Sequence, residues 1–566
     1  MQVSSAGIGT VARPTSRVHL ALLTEKNTIF LACVSAYLAA AAFLVFRGNV
    51  ILGDALARVE NVDRVLYSRD PHLAAIGFNF PPLPQLFYLP FIPLKAIWPA
   101  LVTYGFIGNI FSAFFMAAAV YQLCGFLSDI GVRRGPRLAL TATFALHPMI
   151  LYSGANGMTE APSLLFLLIA ARQLARWLRW GSVSAQVYTG VALSFAFLTR
   201  YEAVWAGVGA MALAALVTAR RRQAGGRITA GLADAVVLGA PLMFTVAGWI
   251  VANWVITGSP LAEVTNGYGT AQLHIPGTQV ASARLWTQGV LGILTMEPLL
   301  PVIALLAALV ALFKRDLAFA GIVAIFTPVL AFMYWGWSTQ NLLGSLRYLI
   351  VCVPLATLLC GVAVASNERT PLRVLDSARA SWRGRAGARG STALAATRAL
   401  PVVTLTLMLA TAAPTAAFGM WAQQGSGASG LAAILPLPLA NEAAERAAHR
   451  WTTEREVAHY MDSLSLPSGS VLVDDFEGFA IFINSDNKRQ FVITSDRDFQ
   501  AALADPASAD VRYILVPQPK DIAVLEAVNR TYPGFYFTGG GIAELEREFP
   551  QNSDGPIWRL YRVRAS

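Results

Sequence analysis

Charged residues are scarce in this sequence. Lys, Arg, Asp and Glu make up 13% of its 566 residues, about half of what a soluble globular domain carries. With 55% hydrophobic residues and a mean hydropathy of +0.52, the deficit excludes an ordinary soluble protein and indicates an integral membrane protein. Cysteines are few as well. Cys33, Cys124, Cys352 and Cys360 all lie in apolar runs and form no CxxC, which excludes a disulfide framework and leaves them as small buried hydrophobes. The six histidines are scattered and no HExxH occurs, so no metal site follows from spacing. There is no P-loop and no GxGxxG after a strand. Acids are outnumbered, giving a net charge of +10 and a pI of about 9.6. The arginines cluster between apolar runs, so topology explains them and a nucleic-acid partner is not implied. The first apolar run starts near Asn27 with no small-residue cleavage site before it, which predicts no cleavable signal peptide.

A spanning helix needs about 20 mostly apolar residues. Runs at 27–46, 101–125, 136–153, 159–177, 185–199, 203–219, 232–256, 287–313, 317–336, 346–365 and 399–420 predict about eleven spans. The segment 81–99 is also apolar, but its prolines predict a re-entrant or interfacial helix. Basic loops fall on one side of this map: Arg13, Arg17 and Lys26; Arg133, Arg134 and Arg137; Arg176 and Arg179; Arg220, Arg221 and Arg222; Lys314 and Arg315; and the arginine-rich stretch 366–398. The positive-inside rule makes that side cytoplasmic. It predicts a multi-pass cell-membrane protein with a cytoplasmic tail over 1–26, a membrane domain over 27–420, a first outer loop at about 47–100 and an outer domain over 421–566. The last has soluble composition. A polar helical stretch at 441–464 precedes short apolar strands at 470–475, 490–494, 511–516 and 558–563, the pattern of a small α/β domain.

The outer face then gathers unusual polarity. GDALARVENVD at 53–63 puts Asp54, Arg58, Glu60 and Asp63 just after the first span. Ionisable groups at a membrane boundary usually face a cavity or water, because facing lipid is expensive. Three further stretches share this side. NFPPLPQLFYL occupies 79–89, NGMTEAPSLLFLL occupies 156–168 with Glu160, and LRYLIVCVPLATLL occupies 346–359 with Arg347 and Tyr348. In order, spacing and sidedness these four pieces resemble the GT-C superfamily of membrane glycosyltransferases. The nearest branch holds protein O-mannosyltransferases and the lipid A aminoarabinose transferase.

The resemblance implies transfer of a sugar from a polyprenyl-phosphate donor to an extracytoplasmic acceptor. Asp54 would be the general base, with Arg347 contacting the donor phosphate and Arg58 assisting there. Glu160, Arg200, Tyr201, Glu202 and Tyr348 would bind substrate or acceptor. It also implies inversion at the anomeric carbon. No cofactor is implied throughout the superfamily; some members need a divalent ion and others do not.

Plainer readings stand beside these. Asp54 fits a helix N-cap after Gly53, and Glu60 and Asp63 fit a solvated helix face. Glu160 fits the first turn of a helix, Arg200 and Glu202 fit a mutual ion pair, and Arg347 fits a snorkelling end residue. His72 and His274 read as loop residues, Trp335 and Trp337 as interfacial belt, and Asp474, Asp475 and Glu477 as a polar turn. Two other functions fit the composition: a transporter or lipid flippase, and a non-catalytic envelope-assembly protein. Whether the sugar is mannose, arabinose or aminoarabinose stays open, as does the choice among protein, lipid and cell-wall glycan as acceptor.

Overall fold

The structure is a computed structural model. It describes residues 16–77, 80–222, 226–261, 282–339, 342, 345–365, 411–422, 448–550 and 555–564. His274, the basic loop at 366–398 and the first half of the run at 399–420 lie outside the described residues.

The apolar runs form helices close to their expected bounds. These are α1 (Ser16–Ala42), α3 (Phe106–Asp129), α6 (Glu160–Trp180), α7 (Val183–Phe197), α8 (Ala203–Arg221), α9 (Arg227–Thr257), α12 (Ala318–Ser338) and α13 (Cys352–Val364). Between α1 and α3 comes α2 (Gly53–Tyr67). Two runs expected to be continuous are broken. The run at 136–153 divides into α4 (Arg134–Leu146) and α5 (Pro148–Ser153). The run at 287–313 divides into α10 (Ser282–Met296) and α11 (Leu300–Lys314), bent by 70°. Each break precedes a proline, Pro148 or Pro298. Proline lacks an N–H and disfavours helical backbone at the residue before it. The His147 ring then caps α5 by accepting from the Met149 N–H at 3.3 Å.

Among the described residues six helices are long and apolar enough to cross a membrane, or seven if the bent pair counts as one span. The segment 83–96 is a short helix followed by 3-10 turns, broken as its prolines predict. The helices pack pairwise, α1 on α3, α3 on α6, α6 on α7 and α8 on α9, around one large apolar core.

After Ala448 the chain is mixed. The helix α14 (Thr452–Ser463) leads into β1 (Val471–Leu472), α15 (Asp475–Asn484), β2 (Phe491–Val492) and β3 (Tyr513–Pro517). Two antiparallel strands, β4 (Ala543–Phe549) and β5 (Trp558–Val563), complete the sheet. The strand order is β2-β1-β3-β5-β4, with β1 parallel to β2 and β3. The expected strands at 470–475, 490–494, 511–516 and 558–563 are all present. Strand β4, AELEREF, carries charge along its middle, so apolar runs do not reveal it. It sits at the sheet edge, where charge discourages further pairing.

Close helix crossings depend on small residues, as is common in membranes. A Cβ on Gly209 would lie 2.0 Å from the Ala324 carbonyl oxygen, whereas one on Gly248 would meet nothing within 4 Å. Gly209→Ala is therefore expected to cost about 1–3 kcal/mol through overpacking. In thermal unfolding of the detergent-purified protein it should lower the midpoint, while Gly248→Ala leaves it unchanged or slightly raised.

Candidate active site

Helix α2 carries the first acid of the sequence motif. Its N-cap is Leu52, whose side chain has nothing to accept with, and Asp54 makes no capping bond. The N-cap reading of Asp54 is thus not what the backbone does. Its carboxylate instead reaches across 293 residues and accepts from Arg347 Nη2 at 3.1 Å. Arg347 stands in the 3-10 turn Leu346–Leu349. Residues three apart eclipse in such a turn. Leu346 and Leu349 are accordingly both buried in the core, and Arg347 and Tyr348 are turned toward a cleft. Arg347 Nη2 also lies 3.0 Å from the Tyr348 hydroxyl.

The cleft holds about 330 Å³ of empty space, counting its open mouth. Glu160, Arg200, Glu202, Arg347 and Tyr348 line its polar part. Leu164, Leu167, Val329, Met333, Ile350 and Val351 supply apolar wall. Glu160 begins α6, and the loop before it is pinned from both sides. Asn109 donates to the Ala155 carbonyl at 2.6 Å, and Ser112 to the Met158 carbonyl at 3.1 Å. Gly157 has φ +76°, and a Cβ there would stand 3.1 Å from that of Ala55. Only glycine suits both the conformation and the contact with α2.

Arg200 donates to Glu160 at 2.8 Å and also to Glu202. The expected mutual pair of Arg200 and Glu202 is present, and Glu160 joins it. Arg58 lies beside Asp54 on α2. It bonds the Asp54 backbone carbonyl at 2.8 Å, not the carboxylate, and its guanidinium lies 4.2 Å from the Phe80 ring centroid. Tyr201 does not line the cleft; it packs on Phe197 and accepts from Trp249 at 3.2 Å. Trp337 is buried and Trp335 half exposed, so only the latter fits the interfacial belt.

Three carboxylates thus meet three guanidiniums, with hydrogen-bonding capacity to spare. Arg58 Nε and Glu160 Oε2 are buried and bond nothing in the protein. Burial would raise the Asp54 pKa, but Arg347 and then Arg58 outweigh it and hold the carboxyl below its usual range. It is therefore ionised at neutral pH. Among the described residues no group of three or more His, Cys, Asp or Glu gathers as a metal site. Guanidiniums, not a cluster of oxygens of the kind a divalent ion takes, surround the carboxylates of the cleft.

The far half of α2 corrects another expectation. Glu60 and Asp63 are not a solvated face; they are 1% and 0% exposed. Asp63 is bound by Lys95 at 2.6 Å and by Lys488, and Arg64 by Asp475. Arg69 pairs with Asp496 and Asp498, and Asp70 with Arg497 at 3.3 Å. Asp475 therefore joins two parts of the chain, while Asp474 caps α15 by accepting from the Phe476 N–H. Lys95 is 32 residues from Asp63, but local sequence gave no signal for the partners Asp475 and Lys488, which come from more than 400 residues away.

No protein-family model matches the sequence, and no curated protein matches it. Solved structures do. ArnT from Cupriavidus metallidurans bound to undecaprenyl phosphate aligns with TM-score 0.51 and 10% identity over 97% of this chain and 98% of that one. Its apo form aligns with TM-score 0.50 and 11% identity over 95% and 98%. The chain thus shares the fold of ArnT over nearly its whole length.

Burial pushes the Glu60 carboxyl up to about 8, with Arg64 opposing and Asp475 and Asp63 adding to the rise. Since this folded-state value exceeds the unfolded one, the folded form holds the extra proton between them. Stability is fullest below the unfolded carboxyl pKa and falls as pH rises toward 8. Measured as unfolding midpoints from pH 5 to 8, wild type should lose stability relative to Glu60→Gln. A difference that does not vary with pH would contradict this assignment.

Proposed function

We propose that the protein is a membrane glycosyltransferase that moves a sugar from a polyprenyl-phosphate donor to a hydroxyl of an extracytoplasmic acceptor. The observation that carries this reading is the Asp54–Arg347 pair at the edge of a cleft with polar and apolar walls. The undecaprenyl phosphate bound by the similarly folded ArnT supports the donor class. In this reading about eleven spans, a cytoplasmic N-terminus and an outer domain over 421–566 place the cleft on the outer face of the cell membrane. The acceptor is an envelope glycan, lipid or protein.

The chemistry follows from the charges. Arg200 is committed to two carboxylates, Arg347 to one and Arg58 to none. The three guanidiniums and three carboxylates balance one another, so a sugar phosphodiester would bind by taking Arg347 from Asp54 and engaging Arg58, which is paired with no carboxylate. A guanidinium binds phosphate oxygens in a fork. When the donor phosphate takes Arg347, Asp54 loses its strongest cation and gains an anionic neighbour. Both changes raise its basicity toward the value a general base needs.

Asp54 then takes the acceptor hydroxyl's proton as the acceptor oxygen bonds to the anomeric carbon. The bond from that carbon to the phosphate oxygen breaks, and the electron pair leaves with the phosphate. Arg347 is already in place to stabilise the charge that develops there. Glu160 Oε2, buried and unbonded, is suited to hold a sugar or acceptor hydroxyl, and Arg200, Glu202 and Tyr348 shape the wall around it. Tyr201 supports this wall from behind. No step is routed through a metal ion.

The test is binding and turnover of purified polyprenyl-phosphate sugars carrying mannose, arabinose or aminoarabinose. Asp54→Ala should keep donor binding and lose about 10²–10⁴-fold in turnover. Arg347→Ala should lose donor binding. If wild type binds none of the donors, the flippase and assembly readings take precedence.

A further inference from the structure

We propose that Trp451 is a positioning residue for Asp54, and that through it the C-terminal domain sets the geometry of the site. The proposal rests on the reading of Asp54 as the base. Three observations carry it. The Trp451 indole N–H donates to the Ile51 carbonyl at 2.9 Å, three residues before Asp54. Leu52, the N-cap of α2, offers no side-chain acceptor, so this end of the helix is fixed from outside. The Trp451 ring also lies against Gly53: a Cβ there would stand 3.6 Å from it and 3.9 Å from Phe479. Trp451 is only 5% exposed, and it is held edge-on by Phe479 at 5.2 Å between centroids and covered by Arg450 at 4.1 Å. One turn earlier, Asn49 donates to the Ala448 carbonyl. Residues 49–53 are thus gripped by residues 448–451 immediately before the acid.

Asp54 meets Arg347 by a single 3.1 Å bond from a different part of the chain. A shift of the α2 start by a fraction of an ångström lengthens that bond. A misplacement of about 1 Å costs on the order of 10²-fold in rate.

The experiment uses the full chain in lipid nanodiscs. Trp451→Phe removes the N–H and keeps most of the ring; Trp451→Ala removes both. Turnover should fall about three- to tenfold in the first, the worth of one hydrogen bond, and about 10²-fold in the second. Donor KM should stay within twofold of wild type, since Arg347 is untouched. The groups facing Asp54 are Arg347, Arg58 and, further off, Arg200. As its pair with Arg347 loosens, the acid limb of the pH–rate profile should move to higher pH in both variants. Tyr532→Phe, which removes bonds to the Leu503 and Ala504 carbonyls inside the C-terminal domain, should leave rate and profile unchanged.

Amide exchange of residues 50–60 gives a readout independent of turnover: protection should drop in Trp451→Phe. If exchange rises while wild type consumes no donor, the positioning stands and the transferase reading fails. Wild-type turnover, pH profile and exchange in Trp451→Ala would overturn the proposal.

Discussion

A helix that begins beside the bilayer with five ionisable side chains, Asp54, Arg58, Glu60, Asp63 and Arg64, imposes the main constraint on this protein. Charges removed from water must be paired and hydrogen-bonded, or the desolvation cost is not recovered. Each end of α2 meets that demand differently. At the start, Asp54 is balanced by Arg347 beside an open cleft. At the far end, Asp63 is enclosed by Lys95 and Lys488, and Arg64 by Asp475. The C-terminal domain is therefore a required cover for α2. The apolar contacts agree, because Trp451, Phe479 and Ile483 share one core cluster with Ile51, Leu56, Val59 and Val62.

The same constraint separates chemistry from architecture. Charge pairs that are fully enclosed hold the two parts of the chain together and have no room for a ligand. The pair at the edge of the cleft keeps an accessible side: the Asp54 and Arg347 side chains are 43% and 26% exposed, against 0% for Asp63. Acids on one short helix thus divide into an accessible one and enclosed ones according to what covers them, not according to their intrinsic properties.

Much of this was legible in the residues and much was not. Helices such as 318–338 follow from hydropathy because an apolar run of that length has few alternatives. The meeting of Asp54, Glu160 and Arg347 near one cleft follows from their sidedness and motif context. Packing and ion pairs across more than 400 residues leave no local trace, so Asp63, bound by Lys488, and Glu60, buried beside Arg64, read as solvated when they are enclosed. Strand β4 was hidden because an edge strand tolerates charge. The breaks at His147 and Glu297 were signalled by the prolines that follow them, whereas apolar composition alone suggested continuous helices. The role of Trp451 had no signal in composition or spacing.

The sequence separation of these contacts has a consequence for biosynthesis. Ile51 waits 400 residues for the Trp451 indole, Arg64 waits 411 for Asp475, and Asp63 waits 425 for Lys488. At about 5–20 residues per second of elongation, α2 spends roughly 20–80 seconds without the partners that Trp451, Asp475 and Lys488 supply. A ribosome that stalls short of Trp451 leaves a chain in which Ile51 and Gly53, just before Asp54, have no indole to hold them. Completion of the last quarter of the polypeptide is thus what fixes the start of α2 against residues 448–451.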